Sequence, residues 1–166
     1  MRIRLLAAFA LTLSLVSCRE IDDDRIPSMA VNINLSDPGL WNTYGVAGYG
    51  LSRCFIKQLG QPEGFRYLER TQTGFGGVLL IGGMDPYTTE TNVPLAYDLA
   101  CPVERNANIR VRIDPGSFEA ICPECGSKYD VTMAGGAPLS GPAAADKYGM
   151  RMYHCIPNGM GYMIVN

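Results

Sequence analysis

The sequence predicts an all-β domain, a small β-sandwich or barrel with a cysteine-bearing loop subdomain, and three observations carry the all-β expectation. Short runs rich in apolar and β-branched residues recur along the chain, and two of them alternate strictly between apolar and polar. Turn sequences separate them at regular spacing: SDPG, QPEG, GMDP, DPG and IPNG, in which Pro presets φ and Gly supplies φ > 0. No segment keeps a helical apolar period over ten residues, so short strands joined by tight turns are what remains.

In chain order, residues 1–17 stand apart from that domain. MRIRLLAAFALTLSLVSC has a basic start at Arg2 and Arg4, an apolar run over 5–16 and small residues ahead of Cys18. The run falls short of the roughly 20 residues that a membrane-crossing helix needs. The pattern resembles a bacterial lipoprotein signal, which implies acylation of Cys18 and a lipid anchor at the cell-envelope membrane, on its periplasmic or surface side. Residues 18–28 are acidic and without apolar period, and read as a tether. Residues 29–166 then form one domain. Without Arg2 and Arg4 the chain has 12 basic residues against 16 acidic ones, a balance of −4, which argues against nucleic acid as a partner. The sequence identifies no protein partner.

Within the domain, VNINLS (31–36) and IRVRID (109–114) alternate as half-buried strands do, and GYMIVN (161–166) closes the chain. FRYLERT (65–71) is expected as a further strand, and GGVLLIGG (76–83) as one buried on both faces. A single helical turn is expected near 51–59, and 113–125 as a hairpin that arrives at a cysteine loop. The glycine- and aromatic-rich stretch 40–56 is read either as a loop over the base of the sheet or as an exposed one.

Five cysteines follow Cys18: Cys54, Cys101, Cys122, Cys125 and Cys155. Cys122 and Cys125 have C-x-x-C spacing, which in a tight turn directs both sulfurs to one side. Cys101 lies about twenty residues earlier, a distance at which a hairpin brings a second loop opposite the first. Other catalytic signatures are missing. The single histidine, His154, has no triad motif around it, and the glycine-rich stretches lack a following helix that would cradle phosphate.

The run Cys122-Pro-Glu-Cys-Gly-Ser-Lys-Tyr-Asp130, followed by GGAPLSGPAA (135–144), resembles the second cluster loop and the covering loop of the Rieske iron–sulfur domain family. Cys101-Pro-Val resembles the first loop, and the likeness spans about residues 94–166. It implies that Ser127 and Tyr129 hydrogen-bond to cluster sulfurs and that the Gly-Pro-Ala loop covers the site. The departures alter the chemistry. Val103 and Cys125 stand where the family has its ligand histidines, and Asn106 and Glu124 where some members carry a stapling disulfide. With one histidine in the chain, a His2Cys2 cluster is excluded by count.

Cys101, Cys122 and Cys125 remain as metal-ligand candidates, with Glu104 as a possible fourth ligand. His154 and Cys155 could contribute only if the last strands ran beside the loops. Three states stay open: zinc, an iron–sulfur cluster with non-standard ligands, or no metal and a disulfide between two of the three cysteines. The functional expectation is a cell-envelope lipoprotein with a divergent or vestigial metal site, not catalytic by itself and, if redox-active, an electron-transfer module. The alternative is a metal-free structural or partner-binding lipoprotein whose loops are held by a disulfide.

Overall fold

Alternation produces the first strand: β1 (Val31–Leu35) buries Val31, Ile33 and Leu35 and leaves Asn34 exposed. A computed structural model describes residues 20–85 and 88–166, so the segment expected to be a signal and Cys18 lie outside the described residues. A short helix α1 (Pro38–Tyr44) follows, capped by the Asp37 carboxylate, which accepts from the N–H groups of Gly39 and Leu40. Next come β2 (Ser52–Phe55), β3 (Gln72–Thr73), β4 (Val78–Met84) and β5 (Thr91–Asp98). The cysteine loops are framed by β6 (Arg112–Ile113), β7 (Ala120–Ile121), β8 (Lys128–Asp130) and β9 (Ala137–Ser140). Helix α2 (Pro142–Asp146) leads to a final hairpin, β10 (Met152–Asn158) and β11 (Gly161–Val165). The all-β class is thus observed.

Seven strands form one sheet in the order β2-β4-β5-β10-β11-β1-β3, and this sheet curls into a nearly closed barrel. The other four form a small sheet, β6-β7-β8-β9. Every paired neighbour runs antiparallel. Strand β4 is buried on both faces, as its composition suggested. Val78 and Leu80 enter the core shared with β1 and Tyr153, while Leu79 and Ile81 enter the core shared with the cysteine loops. Each such side chain contributes about 1.5–3 kcal/mol when fully buried. The second core is what fastens the small sheet to the barrel.

Three expectations need correction, and a fourth is met in part. Residues 65–71 are not a strand: Lys57 Nζ takes the carbonyls of Leu68, Glu69 and Thr71, and Phe65 packs edge-on against Tyr44, Phe55 and Tyr67. A lysine and an aromatic cluster satisfy that segment where a ladder would have done so. The 109–114 run is strand only over Arg112–Ile113. Its first half pairs instead with the chain entering the first cysteine loop, through the Ala100–Arg110 bridge and the Val111 N–H to Leu99 O bond of 2.9 Å. The single helical turn expected near 51–59 is present, as a 3-10 turn over Lys57–Leu59, while strand β2 takes the first part of that range. Residues 20–28 are no free tether. Ile26 is fully buried, Arg151 pairs with Asp24 at 2.7 Å and donates to Ile26 O, and Asp22 bridges Tyr148. One apolar side chain and backbone pairing dock a segment whose composition alone reads as solvated.

The 40–56 stretch packs on the sheets. Trp41 lies 4.8 Å from Tyr162 and Tyr49 5.8 Å from Phe118, centroid to centroid. Among the described residues no helix is long and apolar enough to cross a membrane.

A candidate thiolate metal centre

Strand β5 delivers Cys101, and the turn between β7 and β8 carries Cys122 and Cys125. The route from β5 is held by Asp98, a fully buried carboxylate. Its oxygens accept from the N–H groups of Phe75 (2.9 Å), Gly76 (3.0 Å) and Ala100 (2.8 Å) and from the Tyr153 hydroxyl (2.6 Å). Burial raises the Asp98 pKa, and those same donors oppose the rise. Asp98 is a site residue that sequence reasoning does not single out. The signal was present in YDLAC, where a lone charge sits in an otherwise apolar run.

Beyond Ala100 the chain makes two tight turns of the same kind. Arg105 N–H donates to Cys101 O at 2.9 Å, and Gly126 N–H donates to Cys122 O at 3.1 Å. In the second turn the N–H groups of Glu124 and Cys125 also point at the Cys122 sulfur. Gly126 sits at φ 69°, a left-handed conformation that glycine adopts without penalty.

The three sulfurs converge. Cys101, Cys122 and Cys125 Sγ all lie within 4.8 Å of one another, and Cys101 and Cys125 Sγ are 3.7 Å apart. Tetrahedral ligation at about 2.3 Å places neighbouring sulfurs roughly 3.8 Å apart, so this arrangement fits one metal ion. A disulfide would need about 2.05 Å, and the five described cysteines are free thiols. Cys101 and Cys122 are buried and Cys125 half-buried. Burial pushes the Cys122 thiol up to about 12, so a metal binding there displaces a proton.

Ser127 and Tyr129 surround the sulfurs. The Cys125 thiol donates to Ser127 Oγ at 3.2 Å, and Tyr129 Oη lies 3.4 Å from Cys101 Sγ. Ser127 Oγ also accepts from Ala143 N–H at 3.1 Å, which ties α2 over the site. Gly141 makes that closeness possible: a Cβ there would meet Ser127 Cα at 2.9 Å, and its φ is 78°. Both hydroxyls can turn to donate once the sulfurs are thiolates. Burial is the main cause that raises the Tyr129 pKa, so its proton stays available as a donor.

The other candidates lie elsewhere. Glu104 is half-buried in the first turn, and its carboxylate is not part of the sulfur cluster. Val103 packs into the core beside the loops. His154 is exposed on β10 opposite Val165, and neither it nor Cys155 joins the cluster. Cys54 on β2 and Cys155 on β10 have β4 and β5 between them and pack against different cores. Each behaves as a small apolar residue, and burial raises both thiols, Cys155 to about 12.

No protein-family model matches the chain, and no curated protein matches it.

Proposed function

We propose that this chain is a cell-envelope lipoprotein whose Rieske-like loop subdomain holds a single thiolate-bound metal ion, zinc by preference, at Cys101, Cys122 and Cys125. The convergence of three sulfurs within 4.8 Å carries the proposal. A binuclear iron–sulfur cluster needs two pairs of terminal ligands spread over two irons, whereas these sulfurs face one centre. Thiolate-rich tetrahedral sites suit zinc, which has no redox chemistry. The ion then cross-links two loops and shapes the tip of the domain, and the module is not catalytic by itself. Kinship with the Rieske family is supported by the small sheet bearing both loops, by Ser127 and Tyr129 beside the sulfurs, and by α2 closing over them.

Protein purified without oxygen is expected to contain close to one zinc per chain by elemental analysis and to lack the visible and magnetic-resonance signature of a histidine-ligated cluster. Metal-free protein with one disulfide among the three cysteines would instead favour the structural or partner-binding reading. The 3.7 Å approach of Cys101 and Cys125 makes that pair the one to form it.

The lipid anchor is proposed from the signal that ends at Cys18. Cys18→Ala is expected to move the protein from the membrane fraction to the soluble one while the domain still folds. Wild-type protein recovered soluble and unlabelled by lipid would refute the anchor.

A further inference from the structure

We infer that Glu104 is the fourth ligand of the thiolate centre, reaching the metal by rotation of its side chain; this rests on reading the three cysteines as a metal site. The two cysteine turns are copies of one backbone form. Cys101-Pro-Val-Glu-Arg105 and Cys122-Pro-Glu-Cys-Gly126 each begin with a buried cysteine followed by proline. Each closes with an N–H of the fifth residue on the carbonyl of the first, at 2.9 and 3.1 Å. Each ends in the left-handed region, Gly126 at φ 69° and Arg105 at φ 52°. An arginine adopts that region only at a cost that glycine avoids, so the surroundings impose this turn on a residue that resists it.

In the second turn the first and fourth side chains, Cys122 and Cys125, converge on the cluster. The same backbone carries Cys101 and Glu104 at those positions in the first turn. Glu104 is half-buried, and among the described residues its carboxylate has no hydrogen bond or ion pair. A half-buried carboxylate without a partner is available as a ligand, and a cation held by the neighbouring sulfurs would supply the missing partner. Three sulfurs account for three corners of a tetrahedron, and zinc accepts a carboxylate oxygen at about 2.0–2.2 Å. Glu124, by contrast, is third in its turn and exposed. The chemical consequence is a site with one hard ligand, bound less tightly than four thiolates would bind it and open to exchange at that corner.

The test is zinc-edge X-ray absorption on the full chain loaded with zinc, together with zinc affinity by competition against a chelator. Wild type is expected to show three sulfurs and one oxygen, and Glu104→Cys four sulfurs with an affinity at least tenfold higher. Glu104→Gln is expected to lose at least tenfold in affinity while Glu124→Gln changes it less than twofold. Circular dichroism checks that each variant folds. Three sulfurs persisting in Glu104→Cys, or equal effects of the two glutamine variants, would overturn the role of Glu104 and leave the three-cysteine site standing. A wild-type chain that binds no zinc would overturn both.

Discussion

Cys122→Ser is expected to abolish stoichiometric zinc binding and to lower the unfolding free energy by about 3–5 kcal/mol when zinc is saturating. Cys122 is buried, lies in the same cluster as both other sulfurs, and belongs to the turn whose carbonyl takes the Gly126 N–H. Removing it leaves two thiols and the Glu104 carboxylate, a weaker ligand set, and the two loops lose the metal cross-link between Cys101 and Cys122. Denaturant unfolding with and without a chelator measures this directly: chelator should bring wild type down toward the variant and leave the variant unmoved. Cys54→Ser is the comparison. Its thiol is half-buried on β2 and outside the cluster, so it is expected to cost about 1 kcal/mol, independent of zinc. A larger loss at Cys54, or a Cys122 effect that chelator does not change, would defeat the cross-link.

Asp98→Ala is expected to cost about 4 kcal/mol or more and to weaken zinc binding from a distance. The carboxylate satisfies three backbone N–H groups and the Tyr153 hydroxyl in a site closed to solvent. Alanine strands those donors, each at about 1–3 kcal/mol before relaxation. One of them, the Ala100 N–H, immediately precedes Cys101, so the first loop loses its anchor where it leaves β5. Asp98→Asn keeps the shape and should cost less. The native carboxyl pKa is raised above its ordinary value of 3.8 because burial outweighs the donors, so the native state binds the proton more tightly than the unfolded chain does. That contribution to stability is fully present below 3.8 and is lost as pH rises through the native value. Thermal unfolding across acidic pH should show this slope in wild type and not in Asp98→Asn. A variant as stable as wild type would remove Asp98 from the framework.

The N-terminal segment lies in the cysteine-site neighbourhood through its contacts beside α2. Asp22 pairs with the chain at Lys147–Gly149, directly after α2, and the Arg25 guanidinium lies 3.9 Å over the Tyr148 ring. Helix α2 in turn bonds Ser127. The stretch that follows the proposed anchor and the cover of the thiolate centre are therefore neighbours.

How much of this was legible depended on whether the information was local. Alternation in VNINLS, the doubly apolar GGVLLIGG and the glycine turns determined the all-β class, because side-chain period and left-handed φ are properties of a few adjacent residues. C-x-x-C spacing likewise determined that Cys122 and Cys125 would share a side. That Cys101 meets them could be expected from the hairpin between, but only the folded chain set the 3.7 Å approach. Tertiary structure alone decided the rest. FRYLERT has strand composition, yet Lys57 and an aromatic cluster claim it. The acidic segment at 20–28 reads as solvated, yet one buried isoleucine and Arg151 hold it down. Asp98 looks like any acid until four donors from three parts of the chain surround it. In each case deciding partners lie outside the local window of the sequence, and contact energies between such residues leave no periodic trace in the local pattern.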